Sequence, residues 1–350
     1  MAVIGELRDI VDPHAHVRTL ERARDVLPHS SWYCSHLLLM PNVPPLVDGK
    51  KTMEYTRGAL DIIRAAGHTC GLIPCMMLDD TTTPEMIRAA AALGVRAAKL
   101  YPKGATTRDE SIAHVFGVSN FEAMLPVFRE MEAVGMVLNL HGEMPNSFVL
   151  DREADFLYKV EWLAETLAKL RIVLEHITTA KAVALISRLR AGVVATITAH
   201  HLFDTLDVVL GDKANVHAYC KPVHKRPEDR DALLWAVLSG NPKFFFGSDT
   251  APHAKEDKEC AFGCAGAFTA PHAVPLVLTA LRRTGMTMAQ IIGAAQVFLS
   301  RNAMLFYNLD PAGKCVTVTD EEFAIPAEYP YGDTSVVPYR AGDTLPFTIN

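Results

Sequence analysis

The sequence carries two histidines at alternate positions directly after an apolar run. His14 and His16 lie in Asp12-Pro13-His14-Ala15-His16, which follows the run at residues 7–11. Side chains two residues apart on an extended segment point to the same side, so both imidazoles face one point. The pair cannot close a metal site alone, because zinc takes four ligands and a catalytic zinc keeps one position open.

Four further residues with metal-binding or ionisable side chains lie at or just after the ends of later apolar runs. They are Lys99, His141, His176 and Asp249. The ammonium of Lys99 offers a metal no lone pair, but burial lowers the pKa of a lysine and releases the neutral amine. A neutral amine can add carbon dioxide to form a carbamate. Its two oxygens could bridge two cations about 3.5–4 Å apart that share a hydroxide. Each residue alone is explained as well or better by a structural role, but together the six groups predict a binuclear metal centre.

Short apolar runs alternate with helix-like segments along the chain. The runs cover residues 7–11, 35–40, 70–78, 95–100, 136–140, 171–174, 193–198 and 244–246. Such alternation favours a parallel sheet, and eight units favour a closed (β/α)8 barrel. In such barrels the polar groups past the carboxyl ends of the strands form the catalytic face. We expect an α/β TIM barrel in one domain, residues 1–350, with its core at about 7–307 and an irregular tail at 310–350.

The composition excludes several classes of partner. The chain has 350 residues and a formal net charge of −6, which gives no indication of nucleic-acid or anionic-membrane binding. Its seven cysteines, an odd number without a Cys-x-x-Cys pair, indicate reduced thiols in a cytoplasmic protein. The first residues do not read as a secretory signal, and no apolar run approaches the roughly 18 residues of a membrane span. No dinucleotide-binding or P-loop motif is present.

Several motifs resemble those of the amidohydrolase superfamily and, more narrowly, of class II dihydroorotase, the monofunctional type. The resemblance covers about residues 10–307. It is carried by these segments: Asp12-Pro13-His14-Ala15-His16-Val17-Arg18, Met40-Pro41-Asn42, Ala98-Lys99-Leu100-Tyr101-Pro102, His141-Gly142-Glu143, Glu175-His176-Ile177-Thr178-Thr179, Cys220-Lys221-Pro222-Val223, Gly247-Ser248-Asp249-Thr250-Ala251-Pro252-His253 and Gly263-Cys264-Ala265-Gly266-Ala267-Phe268.

The resemblance implies two zinc ions per chain and a set of substrate contacts. The expected metal ligands are His14, His16 and Asp249 at the first ion, His141 and His176 at the second, and Lys99, as N6-carboxylysine, between them. The expected substrate contacts are Arg18, Asn42 and His253 on a carboxylate, and the backbones of Lys221 and Ala265 on the ring. Thr106 and Thr107 are expected on a mobile loop that closes over the substrate.

The resemblance also implies a reaction, the reversible cyclisation of N-carbamoyl-L-aspartate to L-dihydroorotate and water in pyrimidine biosynthesis. In the hydrolytic direction the bridging hydroxide would attack the ring carbonyl. Asp249 would take its proton and deliver it to the departing ring nitrogen. The small-molecule substrate is the expected partner, and a cytoplasmic homodimer is expected.

Two alternatives stay open. Another cyclic amidase, acting on hydantoins or dihydropyrimidines, would share the metal centre, but its substrates lack the ring carboxylate that Arg18 suits. A catalytically inactive barrel that serves as an assembly partner would usually have lost ligands, and none is missing. A phosphosugar enzyme is less suited, because it would need a glycine-rich phosphate loop after strands seven and eight.

Some neighbouring residues are predicted to play other parts. His200 and His201 are expected to have a structural or substrate-side role. Glu143 and Glu175 are either partners of metal-binding histidines or members of salt bridges. The run Phe244–Phe246 is expected in the barrel core.

Overall fold

Strands and helices alternate through residues 2–105 and 116–350, which this computed structural model describes. The strands are β1 (Val3–Arg8), β2 (Ile10–Ala15), β3 (Cys34–Leu39), β4 (Gly71–Leu72), β5 (Cys75–Leu78), β6 (Ala97–Leu100), β7 (Val137–Leu140), β8 (Ile172–Leu174), β9 (Val193–Ile197), β10 (Phe244–Phe246), β11 (Cys315–Thr319), β12 (Phe323–Ala324), β13 (Tyr329–Tyr331), β14 (Thr334–Val336), β15 (Thr344–Leu345) and β16 (Thr348–Ile349).

The helices lie between and after the strands. They are α1 (Leu20–Val26), α2 (Pro28–Ser31), α3 (Gly49–Ala65), α4 (Pro84–Ala92), α5 (Leu125–Val134), α6 (Arg152–Thr166), α7 (Ala180–Arg188), α8 (Ala199–Phe203), α9 (Asp207–Leu210), α10 (Pro227–Leu238), α11 (Lys255–Lys258), α12 (Ala273–Arg282), α13 (Met288–Gln296) and α14 (Asn302–Tyr307). Short 3₁₀ turns lie at Glu122–Met124 and Val216–Ala218, and a π-helical turn lies at Val297–Arg301.

Strands β2 to β10 form the wall of a parallel barrel. One sheet has the order β2-β3-β4, and the other runs β5-β6-β7-β8-β9-β10. Together β4 and β5 make the third barrel strand, interrupted at Pro74, which has no backbone N–H to donate to a neighbouring strand. The barrel closes where Asp249 N donates to His14 O and His16 N donates to Thr250 O, both at 2.8 Å. The predicted (β/α)8 barrel is confirmed.

The barrel interior is packed with one or two side chains from each strand. They form one buried cluster: Val11, Leu38, Met40, Ile73, Cys75, Ala97, Val137, Val173, Val194, Phe245, Ala303 and Tyr307. The last two come from α14, so this helix covers the amino-terminal end of the barrel. Phe245 points inward, as predicted for the barrel core, whereas Phe244 and Phe246 belong to the outer layer between strands and helices. Polar side chains therefore collect at the opposite, carboxyl-terminal end.

A buried glutamate fixes the segment after β8. Glu153, on α6, accepts hydrogen bonds of 2.5–2.9 Å from the backbone N–H and hydroxyl groups of both Thr178 and Thr179. Thr179 also caps α7 by accepting from Ala182 N. Since His176 lies two residues before Thr178, this network holds the loop that carries it.

The two ends of the chain are more ordered than the sequence indicated. The predicted irregular tail forms short strands, and β11 pairs antiparallel with β1 outside the barrel. The first apolar run, 7–11, spans the end of β1 and the start of β2, which Asp9 separates with a positive φ of 50°. The Asp9 carboxylate accepts hydrogen bonds from Ala312 N and Lys314 N at 3.1 and 3.0 Å. These bonds hold the C-terminal tail against the junction between β1 and β2.

The cysteines and the helix lengths can be stated directly. All seven cysteines are free thiols. Within residues 2–105 and 116–350, every helix is too short or too polar to cross a membrane.

Candidate active site

Most of the predicted site residues line one cleft at the carboxyl ends of the barrel strands. The lining residues are His16, Arg18, Asn42, Tyr101, Ala105, His141, His176, Lys221, Asp249, Ala251, Ala265 and Gly266. His14 and Lys99 lie beneath them, fully buried. His253 lies behind Arg18, and Thr106 and Thr107 fall outside the described residues.

One side of the cleft floor brings two histidines onto one carboxylate. His14 Nε2 and His16 Nε2 lie 3.1 and 3.2 Å from Asp249 Oδ1. Two ligand atoms on one tetrahedral zinc are about 3.3 Å apart, given zinc–nitrogen distances near 2.0–2.1 Å. These three side chains can therefore share a metal ion.

The other side of the floor pairs two histidines. His141 Nδ1 lies 3.1 Å from His176 Nε2, again the spacing of two ligands on one ion. The rings stand nearly perpendicular, with centroids 4.7 Å apart. The ring centroids of His14 and His176 are 5.0 Å apart, so the two halves of the floor adjoin.

Three of these histidines have their second ring nitrogen held by a protein oxygen. Glu175 Oε2 lies 2.7 Å from His14 Nδ1, Asn42 Oδ1 lies 2.9 Å from His16 Nδ1, and Glu143 Oε2 lies 2.7 Å from His141 Nε2. Outer partners of this kind fix the tautomer and orientation of metal-binding histidines. Each ring is thus turned so that its remaining nitrogen faces the cleft floor.

Lys99 is close enough to both halves for its charge to act on His14, His141 and His176. It is completely buried, and its Nζ has no hydrogen-bond partner among the described residues. Burial lowers the pKa of this amine, against the opposing effect of Glu175 and Asp249. The ring of Tyr101 covers it, with Nζ 5.1 Å from the ring centroid. Burying an amine without a hydrogen-bond partner destabilises the folded protein, unless a bound or covalently attached group interacts with it.

The charges of the floor suit cation binding. Burial would raise the pKa of Asp249, but His14 and His16 hold it well below the usual range. Burial lowers the pKa of His16 to about 4 and that of His176 well below its ordinary value. Burial would also lower the pKa of His14, but the neighbouring carboxylate of Glu175 raises it, so His14 would release its proton when an ion binds. Neutral imidazoles and an ionised carboxylate are the forms that ligate metals.

The residues present fit a metal centre. His14 Nε2 and Lys99 Nζ are buried without a hydrogen-bond partner in the part of the chain that the structure describes. The ligand atoms of His14, His176 and Asp249 lie within 4.8 Å of one another. A bound cation would satisfy polar atoms that the protein itself leaves unsatisfied.

One wall of the cleft carries a guanidinium. Arg18 Nε donates to Pro252 O at 2.9 Å, and its Nη2 lies 2.8 Å from His253 Nε2. Tyr55 Oη donates to Arg18 O at 2.6 Å, which helps hold the residue at a positive φ of 65°. Two of the five guanidinium N–H groups are thus used to position Arg18, and the rest are suited to an anion.

Another part of the rim is formed by two chain segments that Lys258 joins. Its Nζ donates to Tyr219 O and to Gly266 O, the residues next to Cys220-Lys221 and to Ala265. Gly266 N also donates to Tyr219 O at 2.9 Å. Burial lowers the pKa of Lys258 to about 8. Sequence reasoning missed this lysine, because only the fold brings residues 219 and 266 together.

Replacing Lys258 by methionine is expected to raise the KM for a substrate bound at this rim about tenfold, with little change in kcat. The two carbonyls at the rim would lose their donor, and about 1.4 kcal/mol of binding corresponds to a factor of ten. Steady-state kinetics would test this. The control is Lys255→Met, on the same short helix, whose amine pairs with Glu328 at the surface. An unchanged KM in Lys258→Met would refute the positioning role.

Two further residues support the floor without having been singled out from the sequence. Thr196 Oγ1 donates to Glu175 Oε2 and accepts from His176 N, both at 2.6 Å. Asp12 Oδ1 accepts from Ser248 N at 2.8 Å and so ties β2 to the Asp249 loop. Burial raises the pKa of Asp12 to about 6. Tyr101 also lines the cleft.

Comparison with known proteins agrees with this geometry. No family profile matches the chain. It is 38% identical over 346 residues to a dihydroorotase of Shewanella putrefaciens, covering 97% of both chains. The chain belongs to the dihydroorotase family. It is therefore a hydrolase that acts on cyclic amides.

Solved dihydroorotase structures share the whole fold. That of Campylobacter jejuni is 34% identical with a TM-score of 0.86, covering 99% of this chain and 97% of its own. That of Saccharomyces cerevisiae, in complex with 5-fluoroorotic acid, is 30% identical with a TM-score of 0.87, covering 99% and 98%. A D-hydantoinase at 14% identity and a TM-score of 0.73 shares the fold alone.

Proposed function

We propose that the protein interconverts N-carbamoyl-L-aspartate and L-dihydroorotate at this cleft, as a class II dihydroorotase. The observation that carries the proposal is the convergence of the His14–His16–Asp249 and His141–His176 groups beneath the guanidinium of Arg18. The two histidine-containing groups could bind metal ions that promote hydrolysis of an amide. The Arg18 guanidinium could bind a carboxylate of the substrate. The yeast relative's complex with 5-fluoroorotic acid, a pyrimidine acid, supports the same substrate class.

The proposed metal ligands are those that flank the buried lysine. His14, His16 and Asp249 would hold one zinc ion, His141 and His176 a second, and Lys99, carboxylated on Nζ, would bridge them. The lowered pKa of Lys99 supports carboxylation, because only the neutral amine adds carbon dioxide. When bound, two zinc ions would polarise the ring carbonyl and lower the pKa of water.

Asp249 is the proposed acid and base. Its carboxylate is ionised at neutral pH and faces the cleft, so it can accept the proton of the attacking water. It would then deliver this proton to the ring nitrogen as the amide bond breaks. In the synthetic direction the same carboxylate would take the proton from the carbamoyl nitrogen.

The remaining cleft residues are proposed to orient the substrate. Arg18 would bind the ring carboxylate, with His253 in contact with its guanidinium. Asn42 would have only its amide N–H groups for that carboxylate, since its oxygen is already held by His16. The backbones of Lys221 and Ala265 would meet the amide edges of the ring, and Thr106 and Thr107 would belong to a loop that closes over it.

The substrate assignment can be tested with two cyclic compounds, one that carries a ring carboxylate and one that lacks it. Turnover of L-dihydroorotate and of dihydrouracil would be measured on protein of known metal content. We expect turnover of L-dihydroorotate, and Arg18→Met should lower its kcat/KM about 100-fold, as loss of a charge-assisted pair costs about 1.5–3 kcal/mol. The control is Arg22→Met, whose guanidinium binds Tyr331 O and Asp333 away from the cleft.

Two results would contradict the proposal. Turnover of dihydrouracil but not of L-dihydroorotate would indicate a dihydropyrimidinase or hydantoinase with the same metal centre. Full metal loading with neither activity would indicate a catalytically inactive barrel.

The proposal extends to the state of the protein in the cell. We infer a monofunctional homodimer in the cytoplasm, and the seven free thiols agree with a reducing compartment. Sedimentation velocity of the purified protein would test the dimer, and a mass equal to one chain would exclude it.

A further inference from the structure

Three histidines and a cysteine lie together behind the rim of the cleft, and none belongs to the proposed metal centre. His200 and His201 are on α8, and Cys220 and His224 flank Lys221-Pro222-Val223. We name these four residues the His–Cys cluster. Each is at most 2% exposed. A buried group of this composition needs partners for its polar atoms.

The sulfur lies at ligand spacing from two of the rings. Cys220 Sγ is 3.5 Å from His201 Nε2 and 3.6 Å from His224 Nδ1. A sulfur and a nitrogen on one tetrahedral zinc are about 3.5 Å apart, given bonds near 2.3 and 2.0–2.1 Å. Ligand atoms of His200, His201 and Cys220 all lie within 4.8 Å of one another.

His200 supplies an independent indication of a missing partner. Both of its ring nitrogens are buried and have no hydrogen-bond partner among the described residues. Its ring centroid lies 4.4 Å from that of His201 and 5.6 Å from that of His224. A buried polar group without a partner costs about 1–3 kcal/mol, so a ligand beside His200 would remove this cost.

Outer contacts orient the other rings as they would in a metal site. Thr198 Oγ1 lies 2.8 Å from His201 Nδ1, which leaves Nε2 toward the sulfur. Tyr339 Oη lies 3.3 Å from His224 Nε2 and donates to Asp204 at 2.6 Å. His201 Nε2 also lies 3.0 Å from Pro222 O, and this contact would be exchanged for the metal.

We propose that His200, His201, Cys220 and His224 bind a structural Zn²⁺ that is distinct from the two catalytic ions. Four protein ligands and no open position are typical of structural zinc. Burial lowers the pKa of all three histidines, which favours neutral rings, and raises the pKa of the Cys220 thiol. The Cys220 thiol would lose its proton to solvent as the sulfur–zinc bond forms.

This ion would fasten the rim of the cleft. It would link α8, which follows β9, to the segment that carries Lys221. Tyr339 and Asp204 would extend the link to the C-terminal tail, because Arg340 donates to both oxygens of Asp204 at 3.0 and 2.7 Å.

Cobalt substitution tests the proposal with a signal that the catalytic centre cannot give. The protein would be expressed with Co²⁺, and its metal content and near-ultraviolet spectrum recorded. A sulfur-to-cobalt charge-transfer band is expected, since the His–Cys cluster offers the Cys220 thiolate and the catalytic ligands are nitrogen and oxygen. About three ions per chain are expected, and Cys220→Ser should lose the band and one ion.

Two further variants keep the result interpretable. Cys75→Ser, which changes a buried thiol in the barrel interior, should keep the band and all three ions. His224→Leu removes one ligand but not the sulfur, and should weaken retention of one ion against a chelator at least tenfold. Absence of the band in the folded wild-type protein, with two ions per chain, would overturn the proposal and leave the cluster as a hydrogen-bonded core.

Discussion

Replacing Asp249 by asparagine is expected to reduce kcat by about 10²–10⁴-fold, the usual contribution of a positioned acid–base group. The amide keeps an oxygen at the position that contacts His14 and His16, but it cannot accept and return a proton. Metal content should therefore stay near that of the wild-type protein. Turnover of L-dihydroorotate and elemental analysis of the same sample would measure both quantities.

A second buried aspartate provides the control for this experiment. Asp79 also follows a barrel strand, β5, but its carboxylate accepts from Thr81 and Thr82. Asp79→Asn should keep near-normal turnover. Near-normal turnover of Asp249→Asn would instead show that the proton passes through another group.

Replacing Lys99 by alanine is expected to remove bound metal and to lower kcat/KM by more than about 100-fold, beyond the usual cost of an outer-shell partner. The side chain is fully buried, and the charges of Glu175 and Asp249 act on its amine. Alanine would leave a space beneath Tyr101 where a short carboxylic acid fits. Added acetate or propionate should restore part of both metal content and turnover.

The matched control is Lys159→Ala, which removes a buried amine that pairs with Glu122 on the outside of the barrel. It should keep its metal and its activity, with no response to acetate. Wild-type metal content and turnover in Lys99→Ala would rule out a bridging role for this lysine.

Local patterns in the sequence were sufficient for the fold class and for the candidate ligands. Eight apolar runs with helix-like segments between them predict a (β/α)8 barrel, because parallel strands need helical crossovers. Polar groups that follow these runs must meet at one end of the barrel. That reasoning was enough to bring His14, His141, His176 and Asp249 into one site.

The partners of those groups were decided by the tertiary structure. Nothing in the local sequence indicates that Asn42 holds His16 or that Lys258 joins the two sides of the rim. These pairs are far apart in the chain, and only the order of strands around the barrel and the course of its loops bring them together. The pairing of β1 with β11 could not be predicted for the same reason.

The His–Cys cluster could likewise not be predicted from the sequence. The sequence shows His200-His201 and Cys220, which lie far apart in the chain and have no metal-binding spacing. Burial of α8 against the segment at residues 219–226 sets the distances between their ligand atoms. Residue types and strand periodicity thus determined the barrel and its candidate ligands. Side-chain contacts across loops decided which atoms are held, which are left without partners and where we propose a further ion.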